Sequence, residues 1–161
     1  MHLLFKNSLV VLGCSLLLAY GAAALGSFFT FDSITTWYAG LTKPALNPPN
    51  WIFGPVWTVL YAFMAIAAWR VFMRRTKHTS AKPAIILYAV HLAVNALWSI
   101  AFFGLHMPLL ALLIIAVLWA CIAALIWLFT ETDRVAALLL VPYLCWVSFA
   151  SFLNLMIVLL N

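Results

Sequence analysis

The chain has 161 residues, of which 68% are hydrophobic and only 7% charged, and its net charge is +5. A soluble domain of that length carries roughly 25% charged residues, and its surface-to-volume ratio leaves too much apolar surface exposed for this composition. A soluble fold is therefore excluded, and a mean hydropathy of +1.18 makes the bilayer the solvent.

A spanning helix needs about 20 mostly apolar residues, and five such stretches follow one another, at 7–29, 52–73, 84–104, 108–129 and 135–158. The first begins after Lys6. Its "GAAALG" run and the "VLGC" ending at Cys14 are compatible with signal-peptide or lipoprotein processing. However, the apolar run continues past Cys14 to spanning length, which favours a helix that stays in the membrane.

Before the second helix lies "WYAGLTKPALNPPNW", Trp37 to Trp51. Proline fixes its own φ and biases the residue before it, so Lys43-Pro44 and Pro48-Pro49 make this connector stiff and extended. It can cap the bundle as a plain link. The whole link between the expected helices, residues 30–51, is about 20 residues long and favours a lid, since long ordered loops are usually binding elements.

The remaining breaks are short. Arg74-Arg75-Thr76-Lys77-His78 is a basic loop, and Gly104-Leu105-His106-Met107-Pro108 leaves room only for a tight turn. Glu131-Thr132-Asp133-Arg134 separates the last two helices, with Glu131 and Asp133 read as a solvated pair. Pro83 and Pro108 fall near helix starts, where a missing N–H costs nothing. The expected architecture is one all-α domain, residues 1–161, folded as a five-transmembrane-helix bundle with a long loop between the first two helices.

Lys6, Arg70, Arg74, Arg75, Lys77, Lys82 and Arg134 fall on one side of the membrane, and only Lys43 on the other. By the positive-inside rule the N-terminus is cytoplasmic in an inner membrane, with the proline connector outside. Topology and anionic headgroups thus account for the net charge, which points to no nucleic-acid partner. Cys14, Cys121 and Cys145 lie in apolar helices without metal-ligand spacing and read as buried free thiols.

Tryptophan gathers at both membrane interfaces, which suits Trp69 and Trp127 near the basic side, so position has to separate the rest. Phe53, Trp57 and Tyr61 share a helix face at i, i+4, i+8. Asn95 and Trp98 are an i, i+3 pair, and Trp146, Ala150 and Asn154 form another stripe. Two readings fit. The stripes are helix packing, with Asn bonding between helices and Ala permitting close approach. Alternatively, they line a pocket for a flat, largely apolar ligand.

The spans hold no Asp or Glu apart from boundary residues, which argues against proton- or ion-coupled transport. His91 is the one ionisable group well inside a helix; a neutral histidine bonded to a neighbouring helix fits better than a haem ligand or proton relay. Hydrolase and NTPase motifs do not occur.

Trp37-Tyr38, Leu41-x-Lys43-Pro44, Pro48-Pro49, Trp51 and Trp57-Thr58-x-x-Tyr61 resemble the signature of the TspO/MBR family of tryptophan-rich sensory proteins. Asn95-x-x-Trp98 with Phe102-Phe103 agrees with it, as does Val141-Pro142-Tyr143-x-x-Trp146-x-x-Phe149-Ala150 with Leu153-Asn154. The resemblance covers nearly the whole chain. It implies a five-helix bundle, often a homodimer, in a bacterial membrane, with a pocket beneath the first loop. The implied ligands are porphyrins such as protoporphyrin IX or haem, benzodiazepine-type drugs and, in some members, sterols; no cofactor or metal is required.

Carried onto matching positions, the resemblance implies that Tyr38, Pro48, Pro49, Trp51, Trp57, Tyr61, Asn95, Trp98, Trp146 and Ala150 line or close the pocket. Trp57 and Trp146 match tryptophans that, in some bacterial members, support light- and oxygen-dependent breakdown of protoporphyrin IX. Two features depart from the family. Ala45 and Leu46 stand where an aromatic ring is common, and the late fifth-helix pattern L/V-x-Y-x-K/R associated with cholesterol is absent.

The leading expectation is a membrane receptor or carrier for porphyrin-type tetrapyrroles, serving stress response or porphyrin homeostasis. In it, indoles stack on the macrocycle, Asn95 bonds a polar edge, and Lys43 attracts carboxylates or pins the loop. Photo-oxidative porphyrin degradation by Trp57 and Trp146 is the alternative. A third is a dimeric scaffold regulating a partner protein, packed through Ala89, Ala93 and Ala96.

Overall fold

The computed structural model describes the backbone from His2 to Asn161 and side chains from Ser8 onward. Lys6, counted above on the basic side, lies outside the described side chains. Five long helices form the molecule: α1 (His2–Thr35), α3 (Asn50–Met73), α4 (Ala81–Ser99), α5 (Pro108–Thr132) and α6 (Arg134–Leu160). A short helix, α2 (Trp37–Gly40), sits in the first connection, and α4 runs on into a π turn, Ile100–Gly104. All five are long and apolar enough to cross a membrane.

Going round the bundle, the order is α1, α3, α6, α5, α4 and back to α1, with α3 also touching α4 across the middle. The central packing is made by Met64, Val71, Ile115, Leu118, Ile122, Leu125, Phe129, Leu140 and Val147, all fully or almost fully buried. Pro108 opens α5 and Pro83 is the third residue of α4. Both occupy first-turn positions whose N–H groups have no helical acceptor.

α1 continues six residues beyond its expected end at residue 29. At 1.5 Å per residue its 34 residues span about 51 Å, more than the roughly 30 Å hydrocarbon core. The extension closes its own polar groups, Thr30 donating to the Gly26 carbonyl at 2.9 Å and Thr36 to that of Asp32 at 2.7 Å. The connector is correspondingly shorter than its sequence suggests. Where α1 crosses the α4–α5 turn the approach is close: a Cβ on Gly104 would stand 2.8 Å from the Phe29 ring.

At the basic end, Asp133 is not part of a solvated pair. It is 3% exposed, whereas Glu131 is on the surface. Its carboxylate accepts from the Val135 and Ala136 N–H groups at 2.9 and 3.3 Å, capping α6. It also pairs with Arg70 Nε and Arg74 Nη1, each at 2.9 Å. Burial pushes this carboxyl up, but the hydrogen bonds from Arg70 and Ala136 and the two guanidinium charges outweigh it and hold it below the ordinary range.

The cysteines also differ from expectation. All three are free, but Cys14 and Cys145 are on the outer surface and Cys121 is half-buried. Helical phase turns these thiols toward lipid, where a small apolar side chain is equally at home. Of the small residues on α4, Ala89 and Ala93 face outward, but Ala96 is buried inside the bundle at 4% exposure.

Candidate functional site

α3 brings Phe53, Trp57 and Tyr61 to one face, as their spacing requires. α4 and its π turn add Asn95, Trp98, Phe102 and Phe103, while α6 adds Trp146, Ala150, Leu153, Asn154 and Ile157. Tyr38 of α2 reaches in from the connector. With α1 these residues enclose a cavity of about 610 Å³, inside the range of ligand sites. α5 supplies no wall and packs behind α4 and α6.

The rings brace one another. Trp98 stacks on Phe102 with centroids 5.5 Å apart and meets Phe103 edge-on. Phe53 lies edge-on to Trp146 at 5.9 Å, and Trp57 touches both Tyr61 and Tyr143. Such offset and T-shaped pairs suit the ring quadrupole and hold the indole faces in defined directions.

A hydrogen-bonded chain runs along the cavity floor. The Tyr61 hydroxyl donates to Asn95 Oδ1, and Asn95 Nδ2 donates to the Tyr143 hydroxyl, both at 2.7 Å, joining α3, α4 and α6. Higher up, Trp98 Nε1 donates to Asn154 Oδ1 at 3.1 Å, and Asn154 Nδ2 donates to the Pro108 carbonyl at 2.8 Å. Asn95 is 2% exposed, so its amide orients the two phenols before it can serve a ligand. The Trp146 indole N–H is buried without a partner.

Among the described residues no charged side chain lines the cavity; its polar groups are hydroxyls, amides and indole N–H. Lys43 does not enter it. Its Nζ donates to the Ala39 and Leu41 carbonyls at 3.2 and 3.1 Å and lies 4.9 Å over the Tyr38 ring. Lys43 thus pins the connector.

Of the residues assigned from sequence, Tyr38, Trp51, Trp57, Tyr61, Asn95, Trp98, Trp146 and Ala150 meet at the cavity. Pro48 and Pro49 do not. Pro49 precedes the first residue of α3 with φ −55° and ψ 141°, so the pair directs where α3 begins and thereby aims Trp51 and Trp57. Ala45 and Leu46 lie in a turn closed by Asn47 N–H to the Pro44 carbonyl at 2.9 Å. Leu46 points away, 67% exposed.

His91 is enclosed behind the floor, Nδ1 donating to the Tyr88 carbonyl and Nε2 3.4 Å from Met64 Sδ of α3. It is not part of the wall, so the cavity receives no axial nitrogen from it.

The α1 wall is the part that periodicity did not single out: Tyr20, Ala23, Gly26, Ser27 and Phe31 among others. Its signal is the small-residue run Gly21–Gly26, equally compatible with a cleavage site. Gly26 has a structural reason, since a Cβ there would meet Ser99 Oγ at 3.0 Å where α1 leans on α4.

The TspO/MBR family model matches residues 14–160. The chain belongs to the TspO/MBR family. It is 44% identical over 146 residues to the tryptophan-rich protein TspO of Chlorobaculum tepidum, covering 91% of each chain. To the tryptophan-rich protein TspO of Archaeoglobus fulgidus it is 42% identical over 155 residues, covering 96% of this chain and 99% of that one. The human translocator protein is 36% identical over 131 residues, 81% and 78% of the two chains. As a TspO/MBR protein with five spanning helices, it is a multi-pass integral membrane protein, and membership supports a membrane receptor or sensory role.

Proposed function

We propose that this TspO/MBR protein is a membrane receptor or carrier for porphyrin-type tetrapyrroles, with benzodiazepine-type molecules as competing ligands, acting in stress response or porphyrin homeostasis. The observation that carries this reading is the cavity: about 610 Å³, uncharged, and walled by Trp51, Trp57, Trp98 and Trp146. A flat macrocycle gains from offset contact with these indole and phenyl faces. With no cation among the described wall residues, the carboxylates of a porphyrin stay at the open edge, in contact with headgroups or water.

Protoporphyrin IX should quench tryptophan fluorescence saturably, well beyond the quenching of free tryptophan at equal absorbance. Trp98→Ala should weaken binding about tenfold, or about 1.4 kcal/mol, the scale of one lost aromatic pair. Trp57→Phe should reduce the quenching amplitude more than the affinity. Quenching no greater than that of free tryptophan rejects the reading.

A homodimer is also proposed. Its support is the outward face of α4, where Ala89 and Ala93 sit beside the exposed Ile86, Val90 and Leu97. Small residues there permit close helix–helix approach.

A further inference from the structure

The cavity is closed unequally. At the lid end, the connector is fastened to the α4–α5 turn and to the end of α6, and braced within itself. Trp37 stacks on His106 of the α4–α5 turn with centroids 4.4 Å apart and planes 13° from parallel, and His106 Nε2 is 3.1 Å from Ser33 Oγ of α1. Tyr38 donates to Asn47 Oδ1 at 2.8 Å. From the end of α6, Asn161 grips the Thr42 peptide from both sides, its Oδ1 accepting from the N–H at 3.0 Å and its Nδ2 donating to the carbonyl at 3.1 Å.

The flank between α1 and α3 is different. There the cavity wall consists of surface residues: Ala24, Ser27 and Phe31 on α1, Trp51, Gly54 and Thr58 on α3. A Cβ on Gly54 would meet nothing within 4 Å. On its other side α1 packs tightly against α4 at this level, Gly26 on Ser99. Just below, the Tyr20 hydroxyl donates to the Thr58 carbonyl at 2.9 Å, an exposed bond, and at the far end of the two helices Trp69 Nε1 donates to Ser8 Oγ at 3.2 Å. From Trp51 to Thr58 the gap runs along α3 for about 10 Å at 1.5 Å per residue, and it faces the hydrocarbon side of the bundle.

From this asymmetry we infer that ligand enters and leaves sideways from the bilayer, edge-on through the α1–α3 gap, with the Tyr20–Thr58 bond as its lower sill and the lid remaining fastened. The inference rests on the proposed binding of a flat apolar ligand and adds its route. It fits a ligand class that partitions into lipid before it meets the protein. The small side chains at Ser27 and Gly54 are then the aperture.

The test is stopped-flow quenching of protein tryptophan in vesicles, with protoporphyrin IX already dissolved in the lipid. Ser27→Phe and Gly54→Leu narrow the aperture from opposite helices, and each should slow association and dissociation together by at least tenfold, whatever change in Kd accompanies it. Tyr20→Phe removes the sill bond and should speed both. Asn161→Ala loosens the lid and should leave both rates unchanged. If the narrowed variants associate at the wild-type rate while Asn161→Ala accelerates entry, the lid is the door and the inference is overturned. Saturable quenching in the wild type with unaltered rates in every variant overturns the route alone. Absence of quenching in the wild type overturns the binding reading and the route with it.

Discussion

Asn95 illustrates how a single side chain serves the site without being free to touch a ligand. Its amide is held between Tyr61 and Tyr143, so that both phenols, and Trp57 packed against them, keep fixed directions. Replacing it by leucine keeps the volume roughly but strands two buried hydroxyls, and such groups cost about 1–3 kcal/mol when left unpaired. Asn95→Leu should lower stability in detergent unfolding by that amount and weaken porphyrin quenching, while Tyr143→Phe should cost less because only one bond is lost. Asp133 works in the same way at the opposite end. Asp133→Asn removes a charge facing two guanidinium groups that are 30% and 43% exposed. The expected loss is about 1–3 kcal/mol, below that of breaking a fully buried pair because solvent reaches both arginines. The pH dependence has a definite sign. The carboxyl is held below its unfolded value, so its contribution is complete above about pH 4 and disappears as pH falls through the depressed value. Acid titration of unfolding should show a step in the wild type that Asp133→Asn lacks.

At the scale of elements, the decisive piece is the four-residue helix α2. Too short to be stable alone, it exists because neighbours hold it: Phe102 and His106 against Trp37, Lys43 and Asn47 against Tyr38. His106 carries the cost of that arrangement in its backbone, with φ 55° in the turn before α5, a region that most side chains avoid. His106→Ala keeps the strained backbone and loses the ring. Amide hydrogen exchange across Trp37–Gly40 should accelerate at least tenfold, with the α5–α6 core unchanged. His106→Gly should accelerate the same amides yet be more stable overall than the alanine variant, since glycine accepts positive φ without strain. Equal protection in all three proteins would mean that the stacking contact does not hold α2.

The whole molecule is organised by the difference between its two ends. Around Asp133, α3, α5 and α6 are tied by ion pairs, a helix cap and the Arg74 bond to the Thr132 carbonyl at 3.1 Å. The opposite half is hollow. A bundle locked at one end and open at the other can hold a ligand without separating its helices. Ala93→Phe should shift a detergent-solubilised dimer to monomer while leaving porphyrin quenching within about twofold. A dimer unaffected by that substitution removes α4 as its interface.

Helix count, helix type and the aromatic stripes were legible in the sequence because each rests on local physics. Apolar runs of spanning length have no other stable form in lipid, and i, i+4 spacing places Phe53, Trp57 and Tyr61 together whatever surrounds the helix. The same held for Trp146, Ala150 and Asn154. What the sequence could not carry was any property that depends on which helix lies opposite. Asp133 reads as solvated until Arg70 and Arg74 are brought beside it from 63 and 59 positions earlier in the chain. That Pro48 and Pro49 stand at the start of α3 rather than in the cavity wall is likewise invisible in the sequence. The α1 wall is seated on α4 where Gly26 meets Ser99, a contact that no hydrophobic periodicity encodes. By itself, then, the sequence determined a five-helix membrane bundle with one proline-stiffened connector, because bilayer burial and backbone hydrogen bonding act segment by segment. The tertiary structure alone decided where the cavity is sealed and where it opens, because that depends on close approaches between helices distant in the chain.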